Sequence, residues 1–327
     1  MNTYLAKLEF QAPLAAGHDG PRSEREPLVR SDSLFGAICH TWAQLYGRES
    51  LEELLGSFDS APPLLVSSLF AYSPAAYYLP KPLGRPLHEP EPHWASRLRR
   101  VAWLPVEHFH AWVHGGAVSW AKLLAAEPVG YAQTHAVVAR ARLAQDRRLN
   151  RAAPFRDNVI VFGPGCGGYI VVQTDSEEVA NRLGRCLVLL GETGLGGRRS
   201  VGMGQFTVAT GGLVPVPSEW AFMAAAGARS GVALSLYAPR AEETEALASR
   251  GAYRLCTRDG WAQSAPPRAP SKKQAMTMVE EGSVVPLPCR GQLVDVTPAA
   301  WAADGGHPVF RCGMPVVAPT RSAGGEA

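Results

Sequence analysis

Apolar and polar positions alternate at the start of the chain. Over residues 4–10, Ala6, Leu8 and Phe10 fall on one face and Lys7 and Glu9 on the other, which predicts a half-buried strand. After a polar stretch containing Gly and Pro at 15–27 the period changes: Leu34, Phe35, Ile38, Trp42, Leu45 and Tyr46 make one stripe of an amphipathic helix, with Ser31 or Asp32 as its cap. Residues 64–70 read as a second strand, 74–92 as a Pro-rich surface excursion and 106–114 as a short helix. Residues 134–162 offer two extended arms around an arginine-rich tip. The run YIVVQT at 169–174 is apolar enough for a buried strand, and Asp175 with Glu178 opens the next helix in the manner of a capping box. Val179, Leu183, Cys186, Leu187 and Leu190 share one face of that helix, with Gly191 and Gly194 as stop signals. A strand at 204–210 then completes strand, helix, two strands, helix and strand, with insertions. The run GGLVPVP at 211–217 predicts a linker, and 232–237 begins a second strand-rich unit interrupted by the polar stretch 264–273. The residues alone predict an α+β chain of two domains.

Candidate chemistry concentrates between the second helix and the last strand of the first unit. Residues 194–206 (GLGGRRSVGMGQF) carry Gly194, Gly196, Gly197, Gly202 and Gly204, with Arg198, Arg199 and Ser200 among them. A dinucleotide or P-loop site needs the opposite order, strand to loop to helix N-terminus, so that the positive helix end meets the phosphates. The spacing fails too, because Met203 stands where a P-loop lysine belongs. What remains is a loop whose missing side chains let a partner approach the backbone, and whose N–H groups can form an anion-binding nest. Its arginines add planar forks for phosphate and for stacking on bases. A connector with two solvated arginines fits the same run.

This helix, glycine loop and strand resemble the signature of the RAMP superfamily of CRISPR-associated RNA-binding proteins. Further runs are similar to one family within it: SDSLFGAIC (31–39), LVSSLFAY (65–72), YYLPKP (77–82), AYRLCTRDGWAQS (252–264), EEGSVV (280–285), GQLVDV (291–296) and HPVFRCG (307–313). That family supplies the fourth subunit of the Csm complex, the type III-A CRISPR interference assembly of antiviral defence. The likeness runs in order through nearly the whole chain. It implies two ferredoxin-like (RRM-like) βαββαβ domains: one at 1–212, with a β-hairpin thumb at about 134–163 and the glycine-rich loop at 194–204, and a degenerate one at 213–327.

The resemblance also implies a cytoplasmic, non-catalytic subunit without cofactor or metal. Such a subunit caps the crRNA 5′ end, holds the repeat-derived 5′ tag and meets target RNA indirectly. Its protein partners are the large polymerase-palm subunit on one side and the backbone RAMP subunit of the Csm filament on the other. On this reading RNA contacts fall to Gly194, Gly196, Gly197, Arg198, Arg199, Ser200, Gly202 and Gly204 of the loop, and to His18 and Ser31. Arg140, Arg142, Arg147, Arg148 and Arg151 of the thumb join them, at a place on the RNA separate from the loop. The thumb departs from the usual Asp-Arg followed by Thr-Gly, since Asp146-Arg147-Arg148 is followed by Leu149-Asn150. His18, beside Asp19, sits where related RNA-processing members place catalytic residues, which keeps a metal-independent CRISPR RNA endoribonuclease as the alternative.

Composition changes this picture little. A formal charge of +3 would not betray an RNA binder, but only five of the 32 Lys and Arg residues are lysine, and residues 140–156 hold six arginines against the single acid Asp146. The six cysteines show no C-x-x-C pair or zinc spacing and read as reduced core residues of a cytosolic protein. His110 and His114, one helical turn apart with His108 nearby, could form a metal pair, but no third ligand is evident. No signal peptide is expected at the start, and no apolar run approaches membrane-spanning length.

Overall fold

The main sheet has six strands and is antiparallel at every pairing. The computed structural model describes residues 1–15, 25–87, 92–116, 118–146, 151–209, 211–262, 271–303 and 306–321. The first strand, Asn2–Phe10, lies in the middle of the sheet beside the return strand Gly167–Thr174, in register from Asn2 opposite Thr174 to Leu8 opposite Gly168. Its other edge carries two short strands end to end: Val214–Pro215 opposite Tyr4 and Leu5, and Phe206–Val208 opposite Leu8 to Phe10. Residues 211–217, expected as a linker, therefore include a sheet strand. The far edge of the return strand takes Leu65–Val66 and Phe70–Tyr72. The single strand expected at 64–70 is thus broken in two, and Ser67 makes the break by exchanging backbone and hydroxyl bonds with Val171 (2.8 and 2.9 Å).

Two helices cover one face. The first, Ser31–Ser57, continues past its expected end through a kink at Gly47 (φ 87°, ψ 168°). Leu34, Phe35, Ile38 and Trp42 pack inward as the periodicity predicts, but Leu45 lies on the outer side and is exposed. The helix Glu177–Thr193 packs Leu183, Cys186, Leu187 and Leu190 beside them, over Ala6, Leu8, Ile170 and Val172 of the sheet. Its cap is Ser176, whose hydroxyl accepts the Val179 N–H at 3.2 Å, and not Asp175. Asp175 is used one step earlier, where its carboxylate takes the Asn2 N–H (3.0 Å) and the chain's amino terminus (3.2 Å).

The opposite face of the sheet is covered as well, which corrects the half-buried expectation for the first strand. Leu5, Phe70, Tyr169 and Val171 pack there against Trp103, against Phe109 and Val113 of the helix Val106–His114, and against Trp220. Val232, Leu234, Val284, Val316 and Ala318 of the C-terminal half complete this cluster. Lys7 stays on this face by placing its ammonium 4.3 Å from the Tyr72 ring centre.

The C-terminal half is assembled from small pieces. Strands Val284–Pro286, Ser230–Ala233 and Val317–Thr320 form a three-stranded antiparallel sheet. The ribbons Leu255–Arg258 with Met276–Val279, Trp261–Ala262 with Ser271–Lys272, and Leu293–Asp295 with Phe310–Cys312 surround it. The architecture is mixed α+β with several small antiparallel sheets. Cys312 and Met314 reach across to join the core under the first helix.

Candidate nucleic-acid interface

The glycine loop begins where the helix Glu177–Thr193 ends. Gly194 (φ 85°), Gly196 (φ 86°), Gly202 (φ 78°) and Gly204 (φ 73°) all adopt the left-handed backbone that favours glycine, whereas Gly197 does not. The loop folds on itself and on the segment after the first strand. Leu195 N–H donates to Gly204 O (2.9 Å), Gly204 N–H to Pro13 O (2.9 Å) and Gly197 N–H to Ala15 O (2.8 Å). A Cβ on Gly196 would lie 2.5 Å from Ala15 O, and one on Gly204 would lie 1.9 Å from Leu195 O. Most of these glycines are thus required by close packing inside the chain. The expected nest is correspondingly reduced, because several loop N–H groups are already bonded. What the loop turns outward is the short 3-10 turn Arg199–Val201, with Ser200 and Val201 exposed. His40 of the first helix stands nearby; burial first, and then the charge of Arg199, hold its imidazole below the usual value and hence neutral at pH 7.

The arginine-rich arms form a hairpin, His135–Asp146 paired with Arg151–Phe162, in unbroken register from His135 opposite Phe162 to Asp146 opposite Arg151. Arg140 is exposed opposite Asp157, Arg142 pairs in register with Phe155, and Arg151 closes the far end. Arg147, Arg148 and His18 lie outside the described residues. The base of the hairpin rests on the glycine loop. Leu14 and Ile160 exchange backbone hydrogen bonds (2.9 and 2.8 Å), and the next residue, Ala15, bridges to Gly197. Val159 packs with Ala15 and Met203, and Arg198 Nε lies 2.7 Å from Asp157 Oδ2. Asp157 is the residue that the sequence reading missed. The arginine run of the sequence ends at residue 156, one short of it.

Ser31 is in another place. It is buried in the first helical turn, with its hydroxyl accepting the Leu236 N–H (3.0 Å) and its own N–H donating to Ser68 Oγ (2.8 Å). The helix cap is Arg30, not Ser31 or Asp32. Asp32 accepts a two-pronged contact from Arg258 (Nε to Oδ2 3.1 Å, Nη2 to Oδ1 2.9 Å) and a further one from Arg311. Arg30 reaches Glu281 (2.8 Å) and Glu280 (3.0 Å), and Ser68 Oγ donates to Glu281. The runs at 31–39, 65–72, 252–264, 280–285 and 307–313 therefore meet in one buried ionic junction between the halves. Ser31 belongs to that junction, and its hydroxyl is used inside the chain.

The three histidines diverge. His108 is buried, with Nδ1 3.2 Å from Glu107 Oε1, while His110 and His114 stack at 5.6 Å. Burial lowers the pKa of both His108 and His114. No group of three or more possible metal ligands occurs among the described residues, and no described helix is long and apolar enough to cross a membrane.

Residues 7–207, which hold the loop, the hairpin and most of the main sheet, match the family model of the RAMP superfamily, and residues 227–320 match that of the CRISPR Csm4 C-terminal domain. The chain belongs to the RAMP superfamily and, within it, to the Csm4 family of type III CRISPR complexes. A Csm4 protein of Thermococcus onnurineus (strain NA1) is 28% identical over 277 residues, covering 81% of this chain and 84% of the relative. A solved Csm1–Csm4 cassette in complex with cA4 superposes with a TM-score of 0.62 at 21% identity, covering 99% of this chain and all of that one. The Csm4-type fold recurs in a Csm3–Csm4 subcomplex of the type III-A interference complex, with a TM-score of 0.63 at 15% identity over 98% of this chain and 100% of that one.

Proposed function

We propose that this chain is a non-catalytic RNA-binding subunit that caps the 5′ end of the crRNA in a type III-A effector. The observation that carries the proposal is the contact between loop and hairpin. It brings the Arg199–Val201 turn and the arginine arms to one edge of the sheet, where phosphates and splayed bases of a single strand could be held together. The repeat-derived 5′ tag would lie along this edge. The solved assemblies similar in fold pair a Csm4 chain with Csm1 in one case and with Csm3 in the other, which supports a bridging position between the large subunit and the backbone RAMP filament.

The main sheet supports a ferredoxin-like reading of the first half. In chain order the strands are Asn2–Phe10, Leu65–Tyr72 (in two pieces), Gly167–Thr174 and Phe206–Val208, and across the sheet they stand fourth, first, third, second. The second half, from about residue 213, would be a degenerate version reduced to three strands and ribbons.

The test is to purify the native assembly and sequence its RNA. Short guides with a uniform 5′ tag, crosslinked to peptides from 135–162 and 194–204, are expected; an assembly without RNA, or crosslinks only elsewhere, would reject the proposal. Incubation of the full chain with repeat RNA, with and without divalent cations, should leave the RNA intact. Specific cuts abolished by His18→Ala would make the protein a processing ribonuclease instead.

A further inference from the structure

Arg198 differs from its neighbour Arg199 in two respects. It is the only non-glycine residue with positive φ among the described residues (φ 59°), and it occupies that conformation beside glycines that adopt it without strain. A side chain held in a costly backbone conformation needs a reason in its surroundings. The reason visible here is Asp157, whose carboxylate Oδ2 lies 2.7 Å from Arg198 Nε in an ion pair. Asp157 is mostly covered, at 13% exposure, and Arg198 is 32% exposed.

The position of Asp157 on the hairpin sharpens the point. Alternate residues of a strand share a face, so Asp157 and Val159 of Arg151–Phe162 point the same way. Val159 packs on Ala15 and Met203, which fixes that face toward the loop. Two residues further out, Asp157 makes the outermost described tie to the loop before the arms project.

We propose that Arg198 and Asp157 form a latch that sets the angle of the arginine hairpin over the glycine loop, so that Arg198 is a positioning residue while Arg199 meets phosphate. This rests on the RNA-binding reading above for its purpose, though not for its geometry. An arginine already paired to a carboxylate offers little net charge to a phosphate, whereas a hairpin fixed at its base holds the exposed Arg140 in one place. The pair also makes the loop and hairpin a single element of recognition.

The latch can be tested on the full-length, RNA-free protein by hydrogen exchange of peptides from 135–146 and 151–162. Arg198→Glu and Asp157→Arg should each speed exchange there by about two- to five-fold, the range set by a partly exposed ion pair. The exchanged pair, carrying both substitutions, should return to wild-type rates, and exchange in Asn2–Phe10 should stay unchanged throughout. A double variant as fast as the single variants would overturn the latch. Arg198→Gly provides a second arm that folding cannot confound, because glycine relieves the backbone conformation: the hairpin should still loosen. Titration with a single-stranded RNA oligonucleotide across a salt series completes the test. Arg199→Ala should lower the log–log slope by about 0.7, the share of one phosphate contact, while Arg198→Gly leaves the slope at its wild-type value. An equal slope loss for Arg198→Gly, with hairpin exchange unchanged, would make Arg198 a phosphate ligand and the proposal wrong. If the wild-type chain binds no RNA, the RNA-binding reading fails, and the exchange cycle still decides the latch.

Discussion

Gly196 and Gly197 are neighbours with different work. An alanine at 196 would need left-handed backbone and would press its methyl on Ala15 O, while the Cβ of an alanine at 197 would sit 3.6 Å from the same oxygen with ordinary backbone. Gly196→Ala is expected to cost about 1–2 kcal/mol from conformation alone, and more from the contact, whereas Gly197→Ala should melt with the wild type. Thermal denaturation of both variants checks this, and equal melting temperatures for Gly196→Ala and wild type would refute it. Because Gly197→Ala leaves the fold alone, any loss of RNA binding it causes reports on the surface. The sequence made the density of glycines obvious but not their cause, because a clash with Ala15 some 180 positions away leaves no local signature. Asp157 was hidden for a similar reason: a lone acid after a run of arginines reads as ordinary solvated charge until the loop is seen against it.

Elements with strong local rules were the legible ones. The helix 106–114 and the arms of the hairpin were placed to the residue or nearly so, since helical periodicity and extended composition are written in adjacent positions. Ends were less legible where two residues compete for one role. Ser176, rather than Asp175, caps the pre-loop helix because Asp175 is drawn to the start of the paired first strand. Ser176→Ala should therefore cost about 1 kcal/mol in urea denaturation, and a loss indistinguishable from zero would show that the cap is dispensable.

A second clamp has a pH signature. Burial alone would raise the Glu243 carboxyl, but N–H groups of Arg290, Arg240 (2.8 Å) and Gly291 (3.1 Å), with the Tyr237 hydroxyl (3.0 Å), outweigh it and hold the pKa below the usual value. A group depressed in the folded state adds stability that is complete above its unfolded pKa and disappears as pH falls through the folded one. Glu243→Gln should thus be less stable by about 1 kcal/mol at pH 7, and the gap should close below about pH 4. A gap that stays constant between pH 7 and 3 would contradict the assignment.

At the scale of the whole molecule, the two halves share one core and one ionic junction. The cluster on the far side of the sheet runs from Leu5 and Tyr169 to Val316 and Ala318, so a cut near residue 212 divides packed side chains. Asp32→Ala would leave Arg311, itself 3% exposed, without its carboxylate partner and should cost about 3–5 kcal/mol. Both halves should respond together: urea melting followed by Trp fluorescence and by hydrogen exchange in 230–233 and 167–174 should give one transition, lower in the variant. Two separated transitions would mean that the junction does not couple them. The motifs that form it were all visible in the sequence and were read there as marks of kinship. Nothing in any one of them shows that its charges are spent on another, because the partners lie more than 200 positions apart.

That separation has a consequence during synthesis. Asp32 leaves the ribosome 279 positions ahead of Arg311, and Cys312 and Met314 follow. Until Arg258 emerges the acid of the first helix has no base, and until Cys312 and Met314 emerge its apolar underside keeps a gap. The core under this helix cannot close until the strand Phe310–Cys312 emerges, and closing it requires contacts of long range, which form slowly. Until then that core stays open to chaperones and proteases, and a message cut before the codon for Arg311 would yield a chain that keeps its loop and hairpin and the contacts between them, over a first helix whose underside is never filled.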